Sequence, residues 1–276
     1  MTQLDMKSVV LCADDYALNA SVSQGIVALT RLGRLSATSV MSLSPRWAED
    51  AAALREVRER LDVGLHLDWT SRFAMDAGHG HSLAVVMARA ALRLYRSKPI
   101  EDEIERQLDA FETQWGAVPD HIDGHQHIQQ FAVFREALAH VLMRRYVSTS
   151  QRPWLRVSEV AQPGLKAKTI SAMGAYALRA WAQREVWPTV APLLGAYGFD
   201  GNLTDYAGHM QGWLATVPVS SCALIMCHPA VDVHEGDAIA DARKREFAYL
   251  ASPDFLQHLA DAKVRLVRGS GKPLQA

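Results

Sequence analysis

Apolar residues along this chain fall into two alternating patterns. Short continuous runs, such as Val9-Val10-Leu11-Cys12 and Cys222-Ala223-Leu224-Ile225-Met226-Cys227, have the length and composition of strands buried on both faces. Between such runs, apolar residues recur at helical spacing: Val22, Ile26, Leu29 and Leu32; Trp47, Ala51, Leu54, Val57 and Leu61; Ile104, Leu108, Phe111 and Trp115. Gly33 supplies a stop for the first of these helices. Further strands are read at Ala37 to Leu43, Asp62 to Leu67, His121 to Asp123, Trp154 to Val157 and Val264 to Val267, with a short one expected within Gly198 to Asn202. Helices are expected over Phe131 to Arg145, Lys168 to Trp187 and Ala240 to Leu250, and after Ser252, where Pro253 suits a first helical position.

Strands that alternate with helices predict a parallel sheet with right-handed crossovers, and seven or eight of them make a closed parallel (β/α) barrel. The expectation is an α/β fold with one catalytic domain over residues 1–276. Residues 69–99 break the rhythm. There Ala77-Gly78-His79-Gly80-His81 is loop-like and Ser82 to Arg96 is a basic, Ala-rich helix, so this segment reads as an insertion beside the site, a lid.

Composition narrows the function classes. With 49% hydrophobic residues in 276, the chain can bury a large core. The net charge is -1 and the 29 basic residues are scattered, which argues against a nucleic-acid footprint and for a small or neutral substrate. The start, Met-Thr-Gln-Leu-Asp-Met-Lys, shows no charged segment followed by an apolar one, and no stretch approaches ~20 apolar residues, so a soluble cytoplasmic protein is expected. Homodimer formation is left open. Cys12, Cys222 and Cys227 lie in apolar runs with no Cys-x-x-Cys pair, and read as small buried hydrophobes.

The chemistry sits where strands end. Asp14 and Asp15 close the first apolar run, and adjacent buried carboxylates need a cation or a proton to compensate one of them. Read alone, the pair also fits a turn or helix-start role. His66, Asp123, His125, His127 and His228 stand at the ends of other strands, and in parallel α/β folds those ends converge on one face. Two imidazoles and a carboxylate from different strands can hold a divalent cation and leave positions open for water and substrate. No Gly-x-Ser-x-Gly elbow, His-Glu-x-x-His pair, phosphate-binding loop or dinucleotide fingerprint competes. Gly269-Ser270-Gly271-Lys272 reads as part of a frayed tail.

Ala13-Asp14-Asp15-Tyr16, Gly64-Leu65-His66-Leu67, Ile122-Asp123-Gly124-His125-Gln126-His127 and Cys227-His228-Pro229, in that order, resemble the signature segments of the YdjC-like carbohydrate deacetylases. The resemblance implies a distorted barrel related to NodB-type deacetylases, one divalent ion (Mg2+ or Zn2+), and removal of acetyl from an N-acetylated sugar. That sugar would be a chitooligosaccharide, another amino sugar or a glycolipid. Matched segment by segment, it implies Asp15, His66 and His125 as metal ligands, Asp14 as general base and His228 as general acid. Asp123 would orient a ligand imidazole. His127, Arg156, Trp69 and Asp68 are further substrate-binding or supporting candidates, Trp69 also fitting a core role, while Arg243, a weaker candidate with Arg156 for orienting a carboxylate, reads first as a surface salt bridge. Two departures stand out: Gln126 and Gln129 replace histidines found in some members, and Asp68 stands where Asn is commoner. The alternatives are another metal-dependent hydrolase, of amides or phosphoesters, on the same barrel, or a catalytically silent sugar-binding protein.

Overall fold

The computed structural model describes residues 6–160, 169 and 171–275. Its strands are β1 (Lys7–Tyr16), β2 (Ala37–Val40), β3 (Asp62–Leu67), β4 (His121–Gly124), β5 (Trp154–Arg156), β6 (Thr189–Val190), β7 (Leu193–Leu194), β8 (Cys222–Cys227) and β9 (Val264–Leu266). Helices α1 (Ala20–Arg31) and α2 (Trp47–Arg55) follow the first two strands. After β3 come α3 (Arg72–Asp76), α4 (Leu83–Ala91) and α5 (Ser97–Trp115), then α6 (Phe134–Arg145), α7 (Ala175–Arg184), α8 (Leu203–Thr216), α9 (Ala240–Ala251) and α10 (Pro253–Asp261).

Every strand pairing is parallel, in the order β6-β5-β4-β3-β2-β1-β8-β7, with β9 beside β1. Beyond β5, Val160 bridges Leu193 of β7, and the Leu193 N–H donates to Glu159 O at 2.9 Å. That bridge draws the two ends of the sheet together into a nearly closed barrel. The expected barrel is therefore present, although β6 and β7 escape the hydrophobic pattern because each is only two residues long. Gly198 to Asn202 forms a loop ahead of α8, not a strand, and Asn202 caps that helix with Asp205 in a reciprocal box. The helix expected over Lys168 to Trp187 is Ala175–Arg184, and Lys168 itself lies outside the described residues. No helix among the described residues is long and apolar enough to cross a membrane.

Strand parity decides what fills the barrel. Val9, Leu11 and Ala13 of β1 pack outward under the helices, while Val10 and Cys12 join Ala37, Trp154, Leu224 and Met226 in a separate inner cluster. Extending that alternation puts Asp14, Ser39, Asp62, Gly64, His66, His121, Asp123, Arg156 and His228 on inward positions. The lumen therefore combines that apolar cluster with buried polar side chains. Gly64 is required there, since a Cβ would sit 2.4 Å from the His121 ring, which stacks on Trp154 at 4.2 Å. At the bottom, Asp62 is fully buried and accepts from Trp154 Nε1 (3.0 Å), Arg268 Nε (2.8 Å) and Ser270 Oγ (2.5 Å). The tail through Ser270 is thus a plug anchored on a buried carboxylate, which corrects the reading of Gly269 to Lys272 as frayed.

Candidate active site and metal centre

The C-terminal rim of the barrel carries the acidic pair. Asp14 continues the inward parity of β1, whereas Asp15 on a regular strand would face the helices. Instead Asp15 has φ 68°, and the β1–β2 register breaks between Ala13 and Tyr16. This bulge brings Asp15 into the site beside Asp14. A similar device follows β4: Gln126 (φ 54°) and His127 (φ 63°) lie in the left-handed region, which aims His125 and His127 toward the rim.

Asp15, His66 and His125 converge. Asp15 Oδ1 is 3.0 Å from His125 Nδ1 and 3.4 Å from His66 Nε2, and the three donor atoms lie within 4.8 Å of one another. Ligands bound at ~2.0–2.2 Å in tetrahedral geometry stand ~3.3–3.6 Å apart, so the spacing fits one small divalent ion. Among the described residues two other groupings lie below, Asp14–His66–Asp123 and Cys12–His121–Asp123. Both are already occupied by a cation, because Arg156 Nη2 reaches Asp14 Oδ1 and Asp123 Oδ2 at 2.6 Å and Cys12 Sγ at 3.0 Å. The donor chemistry therefore favours the upper set.

Charge completes the fit. Four carboxylates, Asp14, Asp15, Asp123 and Asp237, are held by two guanidiniums, Arg156 and Arg243, which leaves negative charge at the rim. Burial lowers the basicity of His66, but Asp123, 2.6 Å from its Nδ1, overcomes this and pushes its pKa up to about 10. Without an ion, then, a proton on His66 supplies part of the missing positive charge. The same contact fixes the ring so that Nε2 faces Asp15. Burial raises the Asp14 carboxyl, yet the two-pronged Arg156 contact outweighs it and holds the acid below its ordinary range. For Asp15 burial again raises, and Arg243 with His125 holds it well below. His127 donates to or accepts from Ser158 Oγ at 3.1 Å, and burial pushes its pKa down to about 3, so it is neutral.

His228 stands across from Asp14, with Nε2 3.8 Å from Asp14 Oδ2. Its backbone N–H donates to the buried Glu246 at 2.5 Å, and its ring packs edge-on against Phe199 at 5.2 Å. Asp14, Asp15, His66, His125, His127 and His228 all line one cavity of about 1160 Å³. Its outer wall comes from the 69–99 excursion, through Arg72, Phe73, Leu83 and Met87.

Three sequence readings need correction. Trp69 is not at the pocket: it is buried edge-on against Phe134 at 5.0 Å and His79 at 5.6 Å. Nor does Asp68 face the cavity, because its carboxylate accepts from the Thr70 and Ser71 N–H groups at 3.0 and 2.9 Å and from the Ser71 hydroxyl, organising a turn. Arg243 is no surface residue: it is buried and binds Asp15 at 2.7 Å and Asp237 at 2.6 Å, which is the carboxylate-orienting alternative and not the surface salt bridge. Ser39, which donates to Asp123 at 2.6 Å, and His121, 3.1 Å from Ser39, were also missed. Strand parity would have flagged both.

With this geometry in hand, the sequence profile of the YdjC-like proteins matches residues 8–261. The chain belongs to that family. Among curated relatives, a chitooligosaccharide deacetylase of Serratia marcescens is 30% identical over 128 residues, 44% of this chain and 50% of the relative. The match thus spans about half the length of that relative, as it does for two further chitooligosaccharide deacetylases at 58% and 50%. A solved structure from Enterococcus faecalis V583 shares the fold over 96% of this chain and 98% of its own, with TM-score 0.72 and 18% identity. A CE4 esterase of Streptococcus mutans shares it more loosely, with TM-score 0.52 and 11% identity over 95% and 86% of the two chains.

Proposed function

We propose that this YdjC-like protein is a metal-dependent carbohydrate N-deacetylase that hydrolyses the acetamide of an amino sugar. The observation that carries the reading is one rim on which Asp15, His66 and His125 converge while Asp14 and His228 stand beside them, 3.8 Å from each other. The names of the curated relatives support the substrate class, and the cavity has room for a chitooligosaccharide, another amino sugar or a glycolipid.

Asp15, His66 and His125 would hold one divalent ion, Mg2+ or Zn2+. Once bound, that ion supplies Lewis acidity for the acetamide carbonyl and acidifies water. Asp14 acts as the general base. Arg156 donates to both its oxygens and keeps it ionised, and Oδ2, the oxygen nearer His228 in the residue's place on the cavity wall, takes the proton of the attacking water. His228 delivers a proton through Nε2 to the departing sugar nitrogen, which leaves as the amine while acetate is released. Asp123 and Ser39 keep the His66 ring in register. His127, neutral and on the cavity wall, offers a hydrogen bond to the sugar.

Acetate release from a panel of N-acetylated sugars, run beside phosphate release from p-nitrophenyl phosphate, tests the reading. Acetate with an equal amount of free amine is expected. Phosphate release without acetate would assign the barrel to phosphoesters, and metal uptake without either product would make the protein a sugar binder.

A further inference from the structure

Arg243 lies 228 residues from its partner Asp15, on helix α9, and is only 3% exposed. Its Nη2 donates to Asp15 Oδ2 at 2.7 Å, and its Nε donates to Asp237 Oδ2 at 2.6 Å. The other Asp15 oxygen, Oδ1, is the one that faces His125 and His66. The carboxylate is thus divided, one oxygen given to a guanidinium and one to the imidazole pair. The bulge that holds Asp15 at φ 68° fixes this division from the backbone side.

From this we infer that Arg243 is a positioning residue which restricts Asp15 to a single metal-binding oxygen and thereby selects small divalent ions over large ones. The inference rests on the metal-site reading above. Large ions such as Ca2+ take six to eight oxygens and readily accept both oxygens of a carboxylate. Small ions such as Zn2+ are satisfied by four ligands at short distance. With Oδ2 tied to Arg243, the second oxygen is withheld and the coordination number stays low. Open positions then remain for water and the acetamide. Asp237 belongs to the loop that lines the cavity, so the anchor for Arg243 is itself part of the pocket wall.

The test uses the full chain, stripped of metal and titrated with Zn2+, Ca2+ and Co2+. Arg243→Gln is expected to lower Zn2+ affinity about 10- to 100-fold, as removal of supporting contacts around metal ligands typically does, while Ca2+ affinity holds or rises. The visible absorption of bound Co2+ should weaken as Asp15 becomes two-pronged and the coordination number rises. Arg243→Lys, which keeps the charge and one bond, should fall between. Should Arg243→Gln fail to fold by circular dichroism, Asp237→Asn, which loosens the same arginine from its rim anchor, is read identically. Equal losses for Zn2+ and Ca2+, or an unchanged Co2+ spectrum, would overturn the inference and leave Arg243 a structural ion pair. If the unaltered protein takes up none of the three ions, the metal-site reading itself fails, a distinct result.

Discussion

Asp14→Asn is expected to keep the metal and the fold while losing about 10²- to 10⁴-fold in turnover, the usual worth of a positioned general base. The amide nearly preserves the shape of the carboxylate, and its oxygen still accepts from Arg156, whose second anchor on Asp123 at 2.6 Å is untouched. What the amide cannot do is take a proton. Asp15 carries a different burden, since its Oδ1 meets both imidazoles and its Oδ2 meets Arg243. Acetate-release kinetics and metal content measured on the same preparation separate the two roles. Loss of metal with Asp14→Asn would mean that base and ligand have been exchanged.

His228→Ala is expected to produce the next largest loss, and one that depends on the leaving group. Expelling a sugar amine needs a proton, and His228 is placed to give it, with its Nε2 at the cavity and its backbone fixed by Glu246. Turnover on unactivated acetamides should fall about 10²-fold or more, while an acetyl ester with a phenolic leaving group, which departs with little protonation, should suffer far less. Among the described residues the ring makes no hydrogen bond to another strand, so the fold should survive the change. Equal losses on both substrates would move His228 from proton donor to oxyanion stabilisation or binding. No loss on either would reduce it to a polar cap on β8.

Much of this architecture was legible because periodicity survives in the elements that form the barrel. Cys222 to Cys227 is a continuous apolar run and coincides with β8, and the strand read at Asp62 to Leu67, where Val63, Leu65 and Leu67 alternate with Asp62, Gly64 and His66, coincides with β3. The acidic pair and the strand-end histidines were found because polar residues that close buried runs have few places to go except the rim. The failures have physical causes. β6 and β7 are too short to carry a pattern. Arg243 sits among polar helix residues, and only the tertiary fold reveals that its arm reaches Asp15. Trp69 and Asp68 follow β3 directly, where a rim position and a turn position look alike in sequence. Nor does composition reveal the bulge at Asp15, since the left-handed φ of a non-glycine residue has no sequence signature strong enough to read.

The most direct test of the account is acetate release before and after metal removal. The protein is purified without a polyhistidine tag, stripped with a chelator and assayed on an N-acetylated sugar that it turns over. One divalent ion is then returned in increments. The account predicts that stripped protein is inactive, that activity returns in proportion to bound ion, and that it saturates at one ion per chain. Full turnover by metal-free protein would contradict it.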